Sequence, residues 1–549
     1  MKEIFVSNFK IRALWREFSR KRFAIPEIQR EFVWDAKKAC ALLDSIYQKL
    51  PIGAVMVWDT DSHNHTLLRH SLHILPPFNP RNRRIWFLID GQQRLSVLHQ
   101  VREGQQVVNS NGKTVDFRRI HFVFDADAPT RFVSVRRADP DVHFPVTDIL
   151  ADDWQTRIGL LPNYKRQKVR ECRRRVVSYE VPVIFVKTNK LEEVREAFIR
   201  INSRGTPISA ADRAFTRASR FNLRHLANTL RSGLRNGFEH IPRETLLQTF
   251  ALARGEKDVG ERAVLTAIDK LEKNLRADNK GALSEFQRDW KRVSHAIGKA
   301  VGYLVTTLGV PSYSYMPSDN MVATLALFFF YNGLSQPTPK QARELKKWFW
   351  ATGVGQRYAG RGFRRNIIKD AAFFRALAQK RQARFTFTDM VPRSEVKNSD
   401  YSRRSGLTNA FFCLLSVRQP RYLENGDRIP VDHSTRADRK DKHHIFPRDL
   451  LKRNNFADRQ YNSLCNVCFV VARENQSIGN KRPVDYLDEF RRKKSFSRVM
   501  ASHLIPHFKG SGIWDSNVRR AYKQFQADRL DVLCRTFERE AGIRLFRKD

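Results

Sequence analysis

Four residues near the C-terminal end have the types and spacing needed to cleave a phosphodiester. They are His443 and His444 in DKHHIFP, Asn466, which lies 22 positions after His444, and Asn475, nine further on in ARENQSIGNKRP. Phosphodiester hydrolysis needs a base to activate water and a cation to neutralise charge on the phosphate and the leaving oxygen. His444 is the candidate base. His443 and Asn475 are candidate ligands for one divalent cation, and Asn466 is spaced to brace the loop that carries the base. Lys442, Arg448, Lys481 and Arg482 are close by in the chain and suit contacts to DNA phosphates. Any one of these residues alone reads as a surface histidine, a turn asparagine or a solvated charge. The nuclease reading rests on the whole set in this order.

A second constellation lies in FLIDGQQRLSVL, where an apolar strand pattern meets a helical one through Asp90, Gly91, Gln92, Gln93 and Arg94. Gly91 permits a tight turn at a helix start, where free backbone N–H groups attract phosphate. Arg94 adds a planar donor fork for phosphate oxygens. Gln92 and Gln93 can position water, and Asp90 can hold a cation or accept a proton. Asp-Gly turns are common, so this stretch by itself is a weak signal.

The elements that must position these residues follow from periodicity. Residues 37–50 read as a helix with Leu42, Leu43, Ile46 and Leu50 on one face. Strands are expected at 53–58, 85–89, 121–124 and 181–186, and helices after Gly91 and over 191–201. This alternation predicts an α/β N-terminal domain. From 210 to about 383 the pattern is almost wholly helical, with helices over 223–234, 263–275, 283–304 and 321–331. The Pro392-containing stretch 384–398 is the expected boundary before the C-terminal domain. Three regions result: 1–212, a helical middle 213–395, and 396–549. The glycine-bearing stretch GVGQRYAG at 353–360 lacks a preceding strand and a following Lys-Ser/Thr pair, so it reads as a loop between helices and not as a P-loop.

Composition narrows the partners. The chain has 549 residues, with 100 Lys plus Arg against 57 Asp plus Glu, a net charge of +43. The excess is spread along the chain and is densest at 165–175, KRQKVRECRRR. An excess of this size implies a polyanionic partner, nucleic acid above all. Six scattered cysteines in a long chain point to a reducing cytoplasm. Cys465 and Cys468 form one CxxC pair, half of a zinc site with His433 or Cys413 at best, so packing cysteines are expected. No signal peptide is expected at the N-terminus, and no membrane partner, since the longest apolar run, 321–331, is too short to span a bilayer.

The C-terminal stretches HHIFP, the Asn466 turn before VCFVV, and ENQSIGNKRPVDYL resemble the HNH, or ββα-metal, nucleases over roughly 408–504, in the branch found in GmrSD-type restriction endonucleases. Many relatives carry an acidic residue where His443 stands, which leaves the metal preference open, and Asp432 and Asp441 are nearby substitutes. At the other end, IPEIQREFVWD, DGQQR and FIRINSRGTPIS resemble, in order, the N-terminal domain of the same GmrSD family over most of 1–212. The resemblance implies a ParB/sulfiredoxin-like α/β fold with a helical extension, and an α+β HNH domain at the C-terminus. It implies nucleoside triphosphate (ATP or GTP) binding and hydrolysis by Asp90, Gln92, Gln93 and Arg94. Gln29, Arg30 and Gly91 would line the same pocket, and Asn202 would support it.

The resulting expectation is a cytoplasmic prokaryotic defence nuclease. Its N-terminal NTPase senses a feature of double-stranded DNA, modified phage DNA included, and regulates an HNH nuclease using Mg²⁺ or Mn²⁺. A single HNH site makes one nick, so a double-strand cut needs a homodimer or two encounters. The rivals are an unswitched nickase with a DNA-binding N-terminal domain, and a non-catalytic nucleic-acid-binding protein.

Overall fold

The computed structural model describes residues 3–26, 29, 32–61, 64, 74–109, 114–189, 193–194, 210–218, 221–277, 279–379, 383–429, 442–470, 474 and 477–549. At 212, 216, 276, 279, 280, 442 and 443 it describes the backbone alone. By contacts the chain divides into two compact units, Met1–Asn222 and Leu223–Asp549.

The first unit is mixed α/β. In chain order its elements are β1 (Glu3–Lys10), α1 (Ile11–Ser19), β2 (Phe23–Ala24), α2 (Ala36–Tyr47), β3 (Val55–Asp61), β4 (Arg84–Asp90) and α3 (Gln92–Glu103). Short strands β5 (Gln106–Val108), β6 (Thr114–Asp116), β7 (Ile120–Val123), β8 (Phe132–Ser134) and β9 (His143–Pro145) follow. Helices α4 (Val146–Leu150), α5 (Trp154–Arg157) and α6 (Asn163–Ser178) then lead to β10 (Glu180–Lys187). The main sheet has the order β1-β10-β3-β4-β2. β10 runs antiparallel to β1 and parallel to β3, while β3 and β4 are antiparallel. One face of this sheet packs on Leu14, Phe18, Leu43, Ile46, Leu95 and Leu98 of α1–α3. The other carries Trp58, Ile85, Phe87 and Ile89. Both faces of β4 are therefore covered, which is why its sequence reads as a continuous apolar run and not an alternating one. The helix expected over 191–201 lies mostly outside the described residues.

The second unit is largely helical. The expected helices appear at Leu223–Ser232, Glu261–Ala277, Asn279–Thr306 and Asn320–Tyr331, joined by Arg243–Ala253, Pro339–Val354, Phe363–Ala378 and Gly406–Val417. The glycine-bearing stretch 353–360 comprises the last two residues of the helix Pro339–Val354 and the turn after it. It is tied inward: the Arg357 guanidinium pairs with the buried Asp370 at 2.8 Å, and the Tyr358 hydroxyl and the Trp348 indole donate to Asp370 at 2.7 and 3.1 Å. The expected boundary stretch 384–398 is more integrated than its proline suggests. It forms β11 (Val391–Pro392), parallel to the last strand, and a short helix, Arg393–Asn398.

All six cysteines are buried and unbridged. Burial pushes the thiols of Cys465 and Cys468 up to about 11 and about 12, so both are neutral packing groups. No helix among the described residues is long and apolar enough to cross a membrane.

Candidate functional site

β12 (Lys442–His444) and β13 (Val467–Phe469) form an antiparallel ribbon in which His443 faces Cys468 and His444 faces Val467. The helix Pro483–Arg491, begun by proline at its first turn, follows in the chain. Its Tyr486 hydroxyl donates to the Ile445 carbonyl at 2.9 Å. In the chain the helices Arg448–Arg453 and Asp458–Tyr461 lie between the two strands, and the helix Pro483–Arg491 is fixed to the residue after His444.

Asn466 stands at the entry to β13 with no exposed surface. Its backbone oxygen accepts from Ile445 N at 2.8 Å. Its side-chain Oδ1 accepts from Phe446 N at 2.9 Å, and its Nδ2 donates to the carbonyls of Phe446 at 3.0 Å and Tyr461 at 2.9 Å. One amide therefore satisfies both backbone groups of Phe446, which a buried loop end requires. The two residues that follow His444 are clamped by Asn466.

His444 is half-buried. Its Nε2 is 3.1 Å from Asn462 Oδ1, and its ring meets those of Tyr401 and Tyr461 edge-on at 5.2 and 6.3 Å. A carboxamide oxygen can only accept, so with this assignment Nε2 carries the proton and Nδ1 the lone pair. Burial lowers the His444 pKa from its usual value. The Arg448 cation lowers it further, against the bond to Asn462 and the Asp400 charge. A neutral imidazole is the protonation state a general base needs. Asn462 and Tyr401 were not evident in the sequence, because nothing in residue type or spacing ties them to HHIFP.

The other expected residues fall out unevenly. His443 and Lys442 are described by backbone alone, and Asn475, with the substitutes Asp432 and Asp441, lies outside the described residues, as does His433. Among the described residues no group of three or more His, Cys, Asp or Glu could hold a metal. Arg448 is exposed at the start of the helix Arg448–Arg453, with its guanidinium 5.6 Å from the Tyr461 ring. Lys481 pairs with Glu489 at 3.1 Å, and Arg482 with Asp485 at 2.7 Å. Such exposed pairs are weak enough for a phosphate to displace.

In the first unit the structure brings two of the three motif stretches together. β4 ends at Asp90, Gly91 turns the chain at φ 88°, and Gln92–Arg94 form the first turn of α3. Arg94 donates to Asp90 Oδ2 at 2.9 Å and to the Ile52 carbonyl at 2.6 Å. Gln93 Oε1 accepts from Val33 N at 2.9 Å and Trp34 N at 3.3 Å, and Gln29 Nε2 donates to the carbonyls of Leu88 and Ile89. Gln29, Gln93 and Arg94 thus hold strands and loops in register. Gln92 differs. It is only 2% exposed, and neither Oε1 nor Nε2 has a hydrogen-bond partner among the described residues; the same is true of Ser96 Oγ, one turn along α3. An orphaned buried amide costs about 1–3 kcal/mol. Arg30 and Asn202 lie outside the described residues.

The dense basic run forms α6, and much of it is structural. Lys165 pairs with Asp141, Lys168 donates to the Phe124 carbonyl, Arg173 to that of Ile149, and Arg175 pairs with Glu171. Arg170 and Arg174 remain on the exposed face.

Comparison with known proteins bears on both units. A curated relative, described only as the uncharacterized protein MJ0686 of Methanocaldococcus jannaschii, is 21% identical over 523 residues, covering 85% of this chain and 84% of its own length, so the similarity runs through both units. Residues 13–218, most of the first unit, match the family model of the GmrSD restriction endonuclease N-terminal domain, and by that match the first unit is similar to this domain of the GmrSD-type enzymes.

Proposed function

We propose that the protein is a DNA endonuclease of the restriction type, serving defence, in which the first unit binds and hydrolyses a nucleoside triphosphate and thereby regulates cleavage at the segment around His444. The observation that carries this reading is the Asn466 clamp. A fully buried amide satisfies both backbone groups of the residue two positions after a neutral, half-buried imidazole. Such rigid support is what a general base needs to be held within reach of its water. The likeness of residues 13–218 to a restriction-endonuclease domain supports DNA as the substrate and a defence role. The charge of +43 supports a phosphate-rich partner.

In this mechanism Nδ1 of His444 takes a proton from the water that attacks phosphorus, and the bond from phosphorus to the leaving oxygen breaks. His443 and Asn475 would hold one Mg²⁺ or Mn²⁺, whose chemistry is to neutralise charge on the phosphate and leaving oxygen. An imidazole nitrogen with an amide oxygen suits such an ion when water and phosphate oxygens complete its shell. Arg448, Lys442, Lys481 and Arg482 would hold backbone phosphates, which position the duplex without reading its sequence. In the first unit, the buried unpartnered Gln92 supports a polar ligand at the start of α3, as a nucleotide would supply.

A second reading has its own support. Because Gln29, Gln93 and Arg94 are engaged in holding the fold, the first unit could bind DNA without hydrolysing nucleotide, leaving an unswitched nickase. The deciding experiment incubates the pure full-length protein and His444→Ala with Mg²⁺ and supercoiled DNA, modified and unmodified, with and without ATP or GTP. Cleavage that requires His444 and changes with nucleotide is the expected result. Equal nicking with or without nucleotide establishes the second reading. Undiminished cleavage by His444→Ala, or binding without any cleavage, overturns the nuclease assignment.

A further inference from the structure

We infer that Arg529 is a positioning residue for His444, acting through the Asn466 turn; the inference rests on the nuclease reading of that segment. Arg529 lies in the long helix Val518–Ala541, 63 positions after the turn it holds, and has no exposed surface. Its Nη1 donates to the Cys465 carbonyl at 3.0 Å and its Nη2 to that of Val467 at 2.8 Å. The same guanidinium reaches the carbonyls of His503 at 3.0 Å and Leu504 at 3.2 Å. Cys465 and Val467 are the two neighbours of Asn466, so its turn is gripped on both sides.

The grip reaches the imidazole in two links. Arg529 fixes the turn, and the Asn466 backbone oxygen and side chain fix the amides of Ile445 and Phe446. Tyr486 fixes the Ile445 carbonyl from the other side. No carboxylate pairs with Arg529 among the described residues, so the cation is buried against four carbonyl dipoles and the Phe525 ring, 6.0 Å from its guanidinium carbon. This is an expensive way to fill space, since a thioether or alkyl chain of similar volume carries no desolvation cost. What an alkyl chain lacks is the planar fork, whose donors reach two chain segments at once. Lysine cannot replace it either, because its donors radiate from one nitrogen.

The test uses full-length Arg529→Lys and Arg529→Met beside Asp370→Asn. The last variant weakens the buried Arg357–Tyr358–Trp348 network in the same unit and makes no hydrogen bond to the Asn466 turn. Hydrogen exchange of the peptide spanning 442–449 is read together with kcat and KM for nicking of supercoiled DNA in Mg²⁺. Both Arg529 variants are expected to speed exchange at Ile445 and Phe446 at least about tenfold more than elsewhere in the unit, and to lower kcat on the order of 10²-fold with KM unchanged. Asp370→Asn, at a comparable loss of thermal stability, should leave the 445–446 exchange and kcat unchanged. Arg529 variants that behave like Asp370→Asn overturn the inference, and Arg529→Lys carries the test if Arg529→Met does not fold. If the wild type cuts no DNA, the nuclease reading falls, and the positioning role of Arg529 falls with it. If the wild type cuts but exchange at 445–446 is unchanged in the variants, the inference alone falls.

Discussion

Replacing Gly91 by alanine tests the turn on which the DGQQR segment depends. Gly91 sits at φ 88°, where a side chain is strained, and an added Cβ would lie 2.8 Å from Val55 Cγ2 and 3.2 Å from Val55 Cα. The left-handed backbone costs a residue with a Cβ about 1–2 kcal/mol. The contact with Val55 cannot relax freely, because Val55 is buried in β3 beside β4, and overpacking of this kind costs about 1–3 kcal/mol. The sum is about 2–5 kcal/mol, or roughly 30-fold to several-thousand-fold in an opening equilibrium. Hydrogen exchange of the β3 and β4 amides measures this in the first unit alone. Val55→Ala removes Cγ2 but leaves the close approach to Cα, so in that background Gly91→Ala should cost about 1 kcal/mol less without becoming neutral. A cost under about 0.5 kcal/mol, or the same cost with and without Cγ2, would refute the reasoning from backbone strain and close approach.

Three further outcomes are expected. Asn466→Asp keeps the acceptor for Phe446 N but turns a carboxylate oxygen toward the carbonyls of Phe446 and Tyr461; calorimetry should show a loss of about 3–5 kcal/mol in the second unit, and near-wild-type stability would sink the clamp. His99 of α3 is held to about 4 by burial, with Arg102 adding to the effect, so the folded chain keeps it neutral where the unfolded chain protonates. Its contribution is full above the unfolded value of 6.5 and is lost as pH falls toward 4; discounted for partial exposure it is on the order of 1–2 kcal/mol, and His99→Gln should flatten the denaturation midpoint over that window. Binding of duplex DNA should weaken along a straight line of log affinity against log salt; a flat line would remove phosphate neutralisation as the basis of binding.

The parts legible in the sequence are those governed by local pattern. The turn between β4 and α3 announced itself through Asp-Gly between an apolar run and a helical repeat, and the long helices through their periodicity. β12 and β13 have three residues each, too few for periodicity, and were reachable only through the residues that flank them. What stayed hidden depends on distant partners of ordinary type. Asn462 is a turn asparagine until it meets His444, and Arg529 is one cation among 100 until its four carbonyls are seen. The same charge excess concealed how α6 spends its lysines and arginines. The sequence counts them as a run, whereas the fold turns Lys165, Lys168, Arg173 and Arg175 toward their own unit.

The burial of every cysteine gives the protein a set of native reporters. Cys40 and Cys172 are shielded in the first unit, and Cys413, Cys465, Cys468 and Cys534 in the second. With thiols raised by burial to about 12 at Cys40, Cys468 and Cys534, alkylating reagents meet a nucleophile only when the surrounding structure opens. The order in which the six sites become alkylated, read peptide by peptide, would therefore follow the separate breathing of the two units, with Cys465 and Cys468 flanking Asn466 as a timer for the turn beneath the imidazole, and no label need be engineered.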